Sequence, residues 1–214
     1  MKKVVFNNPF FFKNTKKNIH KVFSRKVKET SGGKIFFNKC CNFLKNKLNA
    51  KKIIITNSCT SALEIAALLI DTRPGDEIIM PSYTFVSTAN AFVLRGGKPV
   101  YVDIDPKSWC IKTEDIVAAI NSRTKAILAV HLYGNLCDMD KLNEISKNYN
   151  IPIIEDAAEA IGSIYHSQKA GSIGKFGVFS FHGTKTITSG EGGMVVCNDR
   201  KDYEILHSLR AHGW

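Results

Sequence analysis

Lys185 stands in the run Phe179-Ser180-Phe181-His182-Gly183-Thr184-Lys185-Thr186-Ile187-Thr188-Ser189-Gly190-Glu191-Gly192-Gly193, among apolar, hydroxyl-bearing and glycine neighbours. Such surroundings can keep a lysine partly desolvated and fit to act as an amine nucleophile, with an ordinary surface-loop lysine as the plain alternative. A second reactive position is Asp156, which follows the β-branched run Ile151-Pro152-Ile153-Ile154 and precedes Ala157-Ala158. An acid at a strand end among small residues can cap a helix, or can hold a protonated ring nitrogen of something large fitted beside the alanines. The third is Asn57-Ser58-Cys59-Thr60-Ser61, where a short strand gives way to a helix. Hydroxyls, unpaired backbone N–H groups and a helix dipole would converge there on an anion, or Ser and Thr would simply cap the helix.

Other chemistries fail on spacing. Gly171-Ser172-Ile173-Gly174-Lys175 looks like a phosphate loop, but its first glycine would fall at Lys169 and Phe176 follows the lysine where Ser or Thr is needed. No G-x-G-x-x-G follows a strand, no G-x-S-x-G elbow is present, and the six histidines lack H-E-x-x-H spacing, so no metal site is expected. Among them, His131 in Val130-His131-Leu132-Tyr133-Gly134 is expected to order a loop. The six cysteines contain no C-x-x-C pair, which points to reduced thiols rather than a disulfide framework or zinc site.

These residues need a scaffold, and the hydrophobic pattern supplies one. Helical spacing covers 35–49, 60–70, 85–95, 113–121 and 138–149, and β-branched runs mark strands at 52–56, 77–80, 99–103, 125–130 and 152–155. Strands alternating with helices of this length predict βαβ units and an α/β fold with a mostly parallel sheet covered by helices on both faces. From Ile164 the rhythm tightens, with strands at 176–181 and 193–197 joined by the lysine-bearing loop. In open α/β sheets ligands bind beyond the carboxyl ends of the strands, where all three reactive segments fall.

Composition narrows the class. The 214 residues carry a net charge of +11, but residues 1–52 account for +14 and the remainder for −3. A Lys-rich arm could touch phosphate, yet no base-stacking or groove-reading pattern accompanies the charge, so a solvated helical face is expected and no nucleic-acid partner. Apolar runs fall far short of the roughly 18 residues of a membrane span, and Asn7-Asn8-Pro9 interrupts any signal-peptide core. A soluble, cytoplasmic protein without a membrane partner is expected.

Taken together, the hydroxyl-rich helix start, the strand-end Asp before Ala-Ala, and Ser-Phe-His-x-x-Lys ahead of Ser-Gly-Glu-Gly-Gly resemble the DegT/DnrJ/EryC1/StrS family of pyridoxal-phosphate-dependent sugar aminotransferases. The resemblance runs from Phe6-Asn7-Asn8-Pro9 to Leu209-Arg210-Ala211-His212-Gly213. Asn57 to Glu64 and Pro74 to Gly96 are most similar, within the family, to the dTDP-4-amino-4,6-dideoxygalactose transaminases.

The resemblance implies the large domain of the aspartate aminotransferase fold (PLP fold type I), a homodimer, and amino transfer from glutamate to a nucleotide-linked, dTDP-type 4-keto-6-deoxyhexose for a surface glycan. It implies that Lys185 is the Schiff-base lysine and that Asp156 lies beneath the pyridinium nitrogen. Ser180, Thr60 and the Ser61 backbone would cradle the cofactor phosphate. Phe85 would stack on the ring, core packing being its alternative, and Glu159 would lie near the ring hydroxyl, where many members carry Gln and where a carboxylate needs a proton or a partner. It divides the chain into a basic arm and helix, 1–50, and a cofactor-binding large domain, 51–214, without the small C-terminal domain of the family. Sugar dehydratases of the family carry His at the place of Lys185, and a catalytically inactive binding module is the other alternative.

Overall fold

In a computed structural model of the chain, residues 12–23 and 34–210 are described. The expectations resting on Phe6–Pro9 and on Ala211–Gly213 lie outside them. The chain divides into two compact units, residues 1–40 and 41–214. In the first, α1 (Thr15–Phe23) exposes Lys16 and Lys17, and α2 (Lys34–Leu48) begins before the boundary and continues into the second.

The second unit alternates as the hydrophobic pattern requires: β1 (Lys52–Thr56), α3 (Cys59–Leu69), β2 (Glu77–Pro81), α4 (Val86–Val93), β3 (Lys98–Val102), α5 (Thr113–Ala119), β4 (Thr124–Val130), α6 (Met139–Tyr149) and β5 (Ile153–Asp156). A two-stranded hairpin of β6 (Ile164–Tyr165) and β7 (Gln168–Lys169) follows, then β8 (Phe176–Ser180), β9 (Gly193–Cys197) and α7 (Arg200–Arg210). Seven strands form one sheet in the order β1-β9-β8-β5-β4-β2-β3. The neighbours from β8 to β3 pair in parallel, and β9 runs antiparallel to both β8 and β1. Six strands therefore point one way and only β9 opposes them.

Side chains of a strand alternate between faces, and that alternation builds the two layers. Ile79, Ile127 and Ile153 pack under Ile116 of α5 and Met139 and Leu142 of α6. Met194 and Val196 of β9 pack with Phe179 and with Leu48 at the end of α2. Ala62, Leu63, Ala66 and Ala67 are the buried stripe of α3. Burial of this kind contributes about 25 cal/mol per Å² of apolar surface removed from water.

Alternation also decides the fate of two adjacent acids. Ile153 and Glu155 share one face of β5, and Ile154 and Asp156 the other. Asp156 is thereby delivered to the face where Thr88 of α4 waits.

Candidate active site

Five of the six co-directional strands deliver residues to the same edge. Beyond β1 come Ser58, Cys59 and Thr60; beyond β2, Phe85; beyond β4, Tyr133; at the end of β5, Asp156 and then Glu159; at the end of β8, Ser180 and then Lys185. A cavity of about 350 Å³ opens there, lined among others by Ser58, Thr60, Phe85, Asp156, Ser180 and Lys185. Thr56, Gly193 and Ser180 lie side by side across β1, β9 and β8. A Cβ at Gly193 would stand 2.4 Å from the Ser58 carbonyl carbon, so only glycine lets β9 pass this close beneath the start of α3.

Asp156 is buried. Its Oδ2 accepts from Thr88 Oγ1 at 2.8 Å and its Oδ1 from the Ala158 N–H at 3.1 Å, and Thr84 Oγ1 donates in turn to Thr88 Oγ1 at 2.9 Å. Burial pushes the carboxyl above the ordinary aspartate range, more than the hydrogen bonds from Thr88 and Ala158 and the charges of His131 and Lys185 pull it down. Among the described residues no cation forms an ion pair with it. Cys59 lines the same cavity, and burial together with the Asp156 charge pushes its thiol up, so it stays neutral there.

Lys185 is partly buried, as its neighbours suggested, but it is not alone: Nζ lies 2.9 Å from Glu159 Oε1. The other oxygen, Oε2, accepts the Tyr133 N–H at 3.0 Å. Desolvation pushes the Glu159 carboxyl up, while the Lys185 hydrogen bond, the Tyr133 N–H and the Lys185 charge together outweigh it and leave it below the usual range. The partner that a carboxylate at 159 requires is thus the lysine itself.

The remaining expected residues divide. Thr60 Oγ1 donates to Ser87 Oγ at 2.9 Å, and buried Ser180 accepts the His182 N–H through its hydroxyl at 3.3 Å. Ser61 donates its N–H to Ser58 Oγ at 3.1 Å and its hydroxyl accepts from Ser58 Oγ at 3.2 Å, so in this structure its backbone donor takes part in the cap of α3. The first N–H groups of α3, at Cys59 and Thr60, have no intrahelical acceptor and remain for an anion. Phe85 precedes α4 with 72% of its surface exposed, which removes core packing as its role.

Sequence reasoning passed over Thr88, Ser87, Cys59 and Tyr133. The Thr84/Thr88 spacing of four was the one available sign, since it aligns two hydroxyls on one side of a helix start. It also passed over Glu155. Glu155 Oε2 meets His131 Nε2 at 2.9 Å and the Gly171 N–H at 2.7 Å, and Oε1 accepts the Ile173 and Gly174 N–H groups at 2.7 and 2.5 Å. The glycine-rich run that looked like a phosphate loop does wrap an anion, but that anion is a side chain of the neighbouring strand. His131 is buried and accepts the Cys137 N–H at Nδ1, which leaves its Nε2 proton to Glu155. It orders the loop after β4.

The cavity, its donor set and its acid suit a phosphorylated pyridine: hydroxyls and helix N–H groups for a phosphate, and a buried carboxylate lacking a cation for a ring N–H. A mostly parallel sheet with a lysine beyond one strand end and an acid at another is the large-domain architecture of PLP fold-type I aminotransferases. The chain belongs to the DegT/DnrJ/EryC1/StrS aminotransferase family, whose pattern it matches over residues 18–214.

It is 44% identical over 163 residues to GDP-perosamine synthase of Caulobacter vibrioides, covering 76% of this chain and 44% of that protein. With GDP-perosamine synthase of Escherichia coli O157:H7 the identity is 46% over 154 residues, covering 72% and 42%. An aminotransferase of Psychrobacter cryohalolentis superposes with a TM-score of 0.90 at 31% identity, covering 96% of this chain and 52% of that one. A GDP-4-keto-6-deoxymannose-3-dehydratase holding a trapped PLP-glutamate geminal diamine superposes with a TM-score of 0.80 at 30% identity, covering 84% and 48%. The chain spans less than half the length of the curated relatives it matches. Those named relatives are GDP-perosamine synthases, which overturns the expected likeness to a dTDP-4-amino-4,6-dideoxygalactose transaminase. Among the described residues no helix is long and apolar enough to cross a membrane.

Proposed function

We propose that this chain is the cofactor-binding large domain of an aminotransferase that uses pyridoxal 5'-phosphate to convert a nucleotide-linked 4-keto-6-deoxyhexose to its 4-amino sugar, with glutamate as donor. The observation that carries the reading is the buried Asp156 carboxylate, without an ion-pair partner among the described residues, set in one cavity with Lys185. A protonated pyridine nitrogen is the cation that such an acid lacks. When bound, the cofactor supplies the electron sink that makes the donor's α-hydrogen acidic.

The chain's own groups do the rest. Lys185 Nζ forms the covalent link and, when freed, carries the proton between carbon atoms. Asp156 keeps the ring nitrogen protonated, with Thr88 and Thr84 orienting its carboxylate. Thr60, Ser180 and the start of α3 take the phosphate, and exposed Phe85 covers a ring face. Glu159 holds the Lys185 ammonium until the link forms. In the named relatives the nucleotide is GDP, and the same nucleotide is assigned here. By the family resemblance a dehydratase would carry His at 185, so the lysine favours the transaminase reading. The working protein is a homodimer, as the family resemblance implies.

Borohydride reduction of the chain with pyridoxal phosphate, followed by peptide mapping, is expected to place the label on Lys185. A label on Lys175 or elsewhere overturns the assignment. Lys185→Ala is expected to abolish both labelling and amino transfer. Labelling of Lys185 without amino transfer in the complete protein would instead identify a cofactor-binding module without catalysis.

A further inference from the structure

Beside the lysine cavity lies a second hollow. Tyr83 follows β2, Trp109 follows β3 and Tyr133 follows β4, so three successive parallel strands place an aromatic side chain at their carboxyl ends. All three rings are exposed, at 45, 44 and 65%. Tyr83 and Trp109 meet edge to face with centroids 5.8 Å apart, and Trp109 and Tyr133 lie 6.1 Å apart. Trp109 is held in a left-handed conformation at φ 63° by the turn at Asp105, whose carbonyl accepts the Trp109 N–H at 2.8 Å and whose carboxylate accepts the Ser108 N–H at 2.7 Å. The turn thus fixes an indole that water would otherwise leave unplaced.

Tyr83, Asp103, Ile104, Pro106 and Trp109 line an open hollow of about 570 Å³. Its walls are apolar and ring-bearing, and its single charged group is the Asp103 carboxylate, of which Oδ1 accepts the Ile104 N–H. It is tied to the lysine cavity twice. Phe85 lies two residues beyond Tyr83 in the same loop and lines that cavity. Tyr133 touches Trp109 through its ring and Glu159, the partner of Lys185, through its N–H.

We infer that this aromatic hollow is the base subsite of the nucleotide-sugar substrate and that Asp103 selects guanine. The inference rests on the reading of the chain as part of a nucleotide-sugar aminotransferase. Aromatic and proline faces stack on any base. The carboxylate then discriminates, because it is purely an acceptor with two parallel oxygens. Guanine offers it two adjacent donors, the ring N–H and the 2-amino group. Thymine and uracil offer one N–H flanked by two carbonyl oxygens, which a carboxylate repels.

The 214-residue chain has two tryptophans, so Trp214→Phe leaves Trp109 as its only indole. GDP is expected to quench that emission to saturation, whereas dTDP should need at least about tenfold more ligand. Inosine diphosphate, which lacks the 2-amino donor, should fall between them. Asp103→Asn is expected to bring GDP and dTDP within about threefold of each other, and Trp109→Leu, measured by equilibrium dialysis, to weaken GDP about tenfold. Unsaturable quenching by GDP, equal affinity for GDP and dTDP, or a preference for guanine that survives in Asp103→Asn overturns the inference. Should Asp103→Asn not fold, equal binding of inosine and guanosine diphosphates by the parent chain overturns it as well. Borohydride trapping on Lys185 in the same preparation keeps the two readings apart. Trapping without GDP binding sinks the base subsite alone, and GDP binding without trapping sinks the aminotransferase reading while supporting the subsite.

Discussion

Glu155 and Asp156 are neighbours on one strand, both withdrawn from water, and their surroundings are opposite. Glu155 looks into the layer of the glycine-rich loop, where each of its oxygens meets two donors. Asp156 looks into the cavity, where two neutral donors reach it and, among the described residues, no ion-pair partner does. A buried carboxylate with every lone pair engaged needs nothing more and acts as a structural anchor. One left short of compensation is a group waiting for a ligand, and its raised protonation range records the deficit.

The comparison breaks most readily at Glu155. Because both oxygens accept from two donors, Glu155→Gln must point its amide N–H₂ at two N–H groups, whichever way it is turned. A loss of about 3–5 kcal/mol is expected, measured by urea unfolding. A loss below about 1 kcal/mol would show that the loop finds other acceptors and that the anchor is dispensable.

Asp156→Asn tests the other side. Amino transfer by the complete protein should fall at least about a hundredfold, since a neutral amide cannot hold the ring nitrogen protonated and each 1.4 kcal/mol costs about tenfold. The fold should survive, and without cofactor the variant should be no less stable than the parent at neutral pH. Near-normal turnover would make Asp156 as structural as its neighbour.

The acid–base behaviour sharpens the same contrast. The Asp156 carboxyl sits higher in the folded chain than in the unfolded one, so the folded state holds the proton more tightly. Its contribution is most favourable below the unfolded value and is lost as pH rises through the raised folded value. Thermal melts of the cofactor-free chain should therefore show a stability component that declines with pH, absent in Asp156→Asn. It should be diminished once pyridoxal phosphate is bound and a pyridinium neutralises the carboxylate. An unchanged slope in Asp156→Asn would assign that component to another group.

The smallest effect is expected at the contact between them and the helix. Thr88→Val keeps the shape but removes one of the two donors to Asp156, for a loss of about 1 kcal/mol of stability or less. Weaker cofactor binding should accompany it, read from the titration of pyridoxal phosphate absorbance.

Much of this was legible in the linear sequence. The alternation of β-branched runs with helical spacing fixes the mostly parallel sheet, because burial on both faces demands that pattern. It brings β1, β2, β4, β5 and β8 to one edge with their polar termini, and so puts Thr60, Phe85, Asp156, Ser180 and Lys185 together. Local chemistry was also enough to reject a phosphate loop at Gly171–Lys175 on spacing. What the order of residues could not decide is which donors cross from one strand to another. The β9 strand threads antiparallel between β1 and β8, which no period reveals, and only that placement requires glycine at 193. The division of labour between Glu155 and Asp156 depends on what packs on each face, and the hydrogen bond from the Ser61 N–H to the Ser58 hydroxyl depends on the cap that α3 forms. Pairing of Lys185 with Glu159 joins segments 26 residues apart. Periodicity reports which residues are buried; the partners of a buried charge are set by distances across the sheet, and those exist only once the chain has folded.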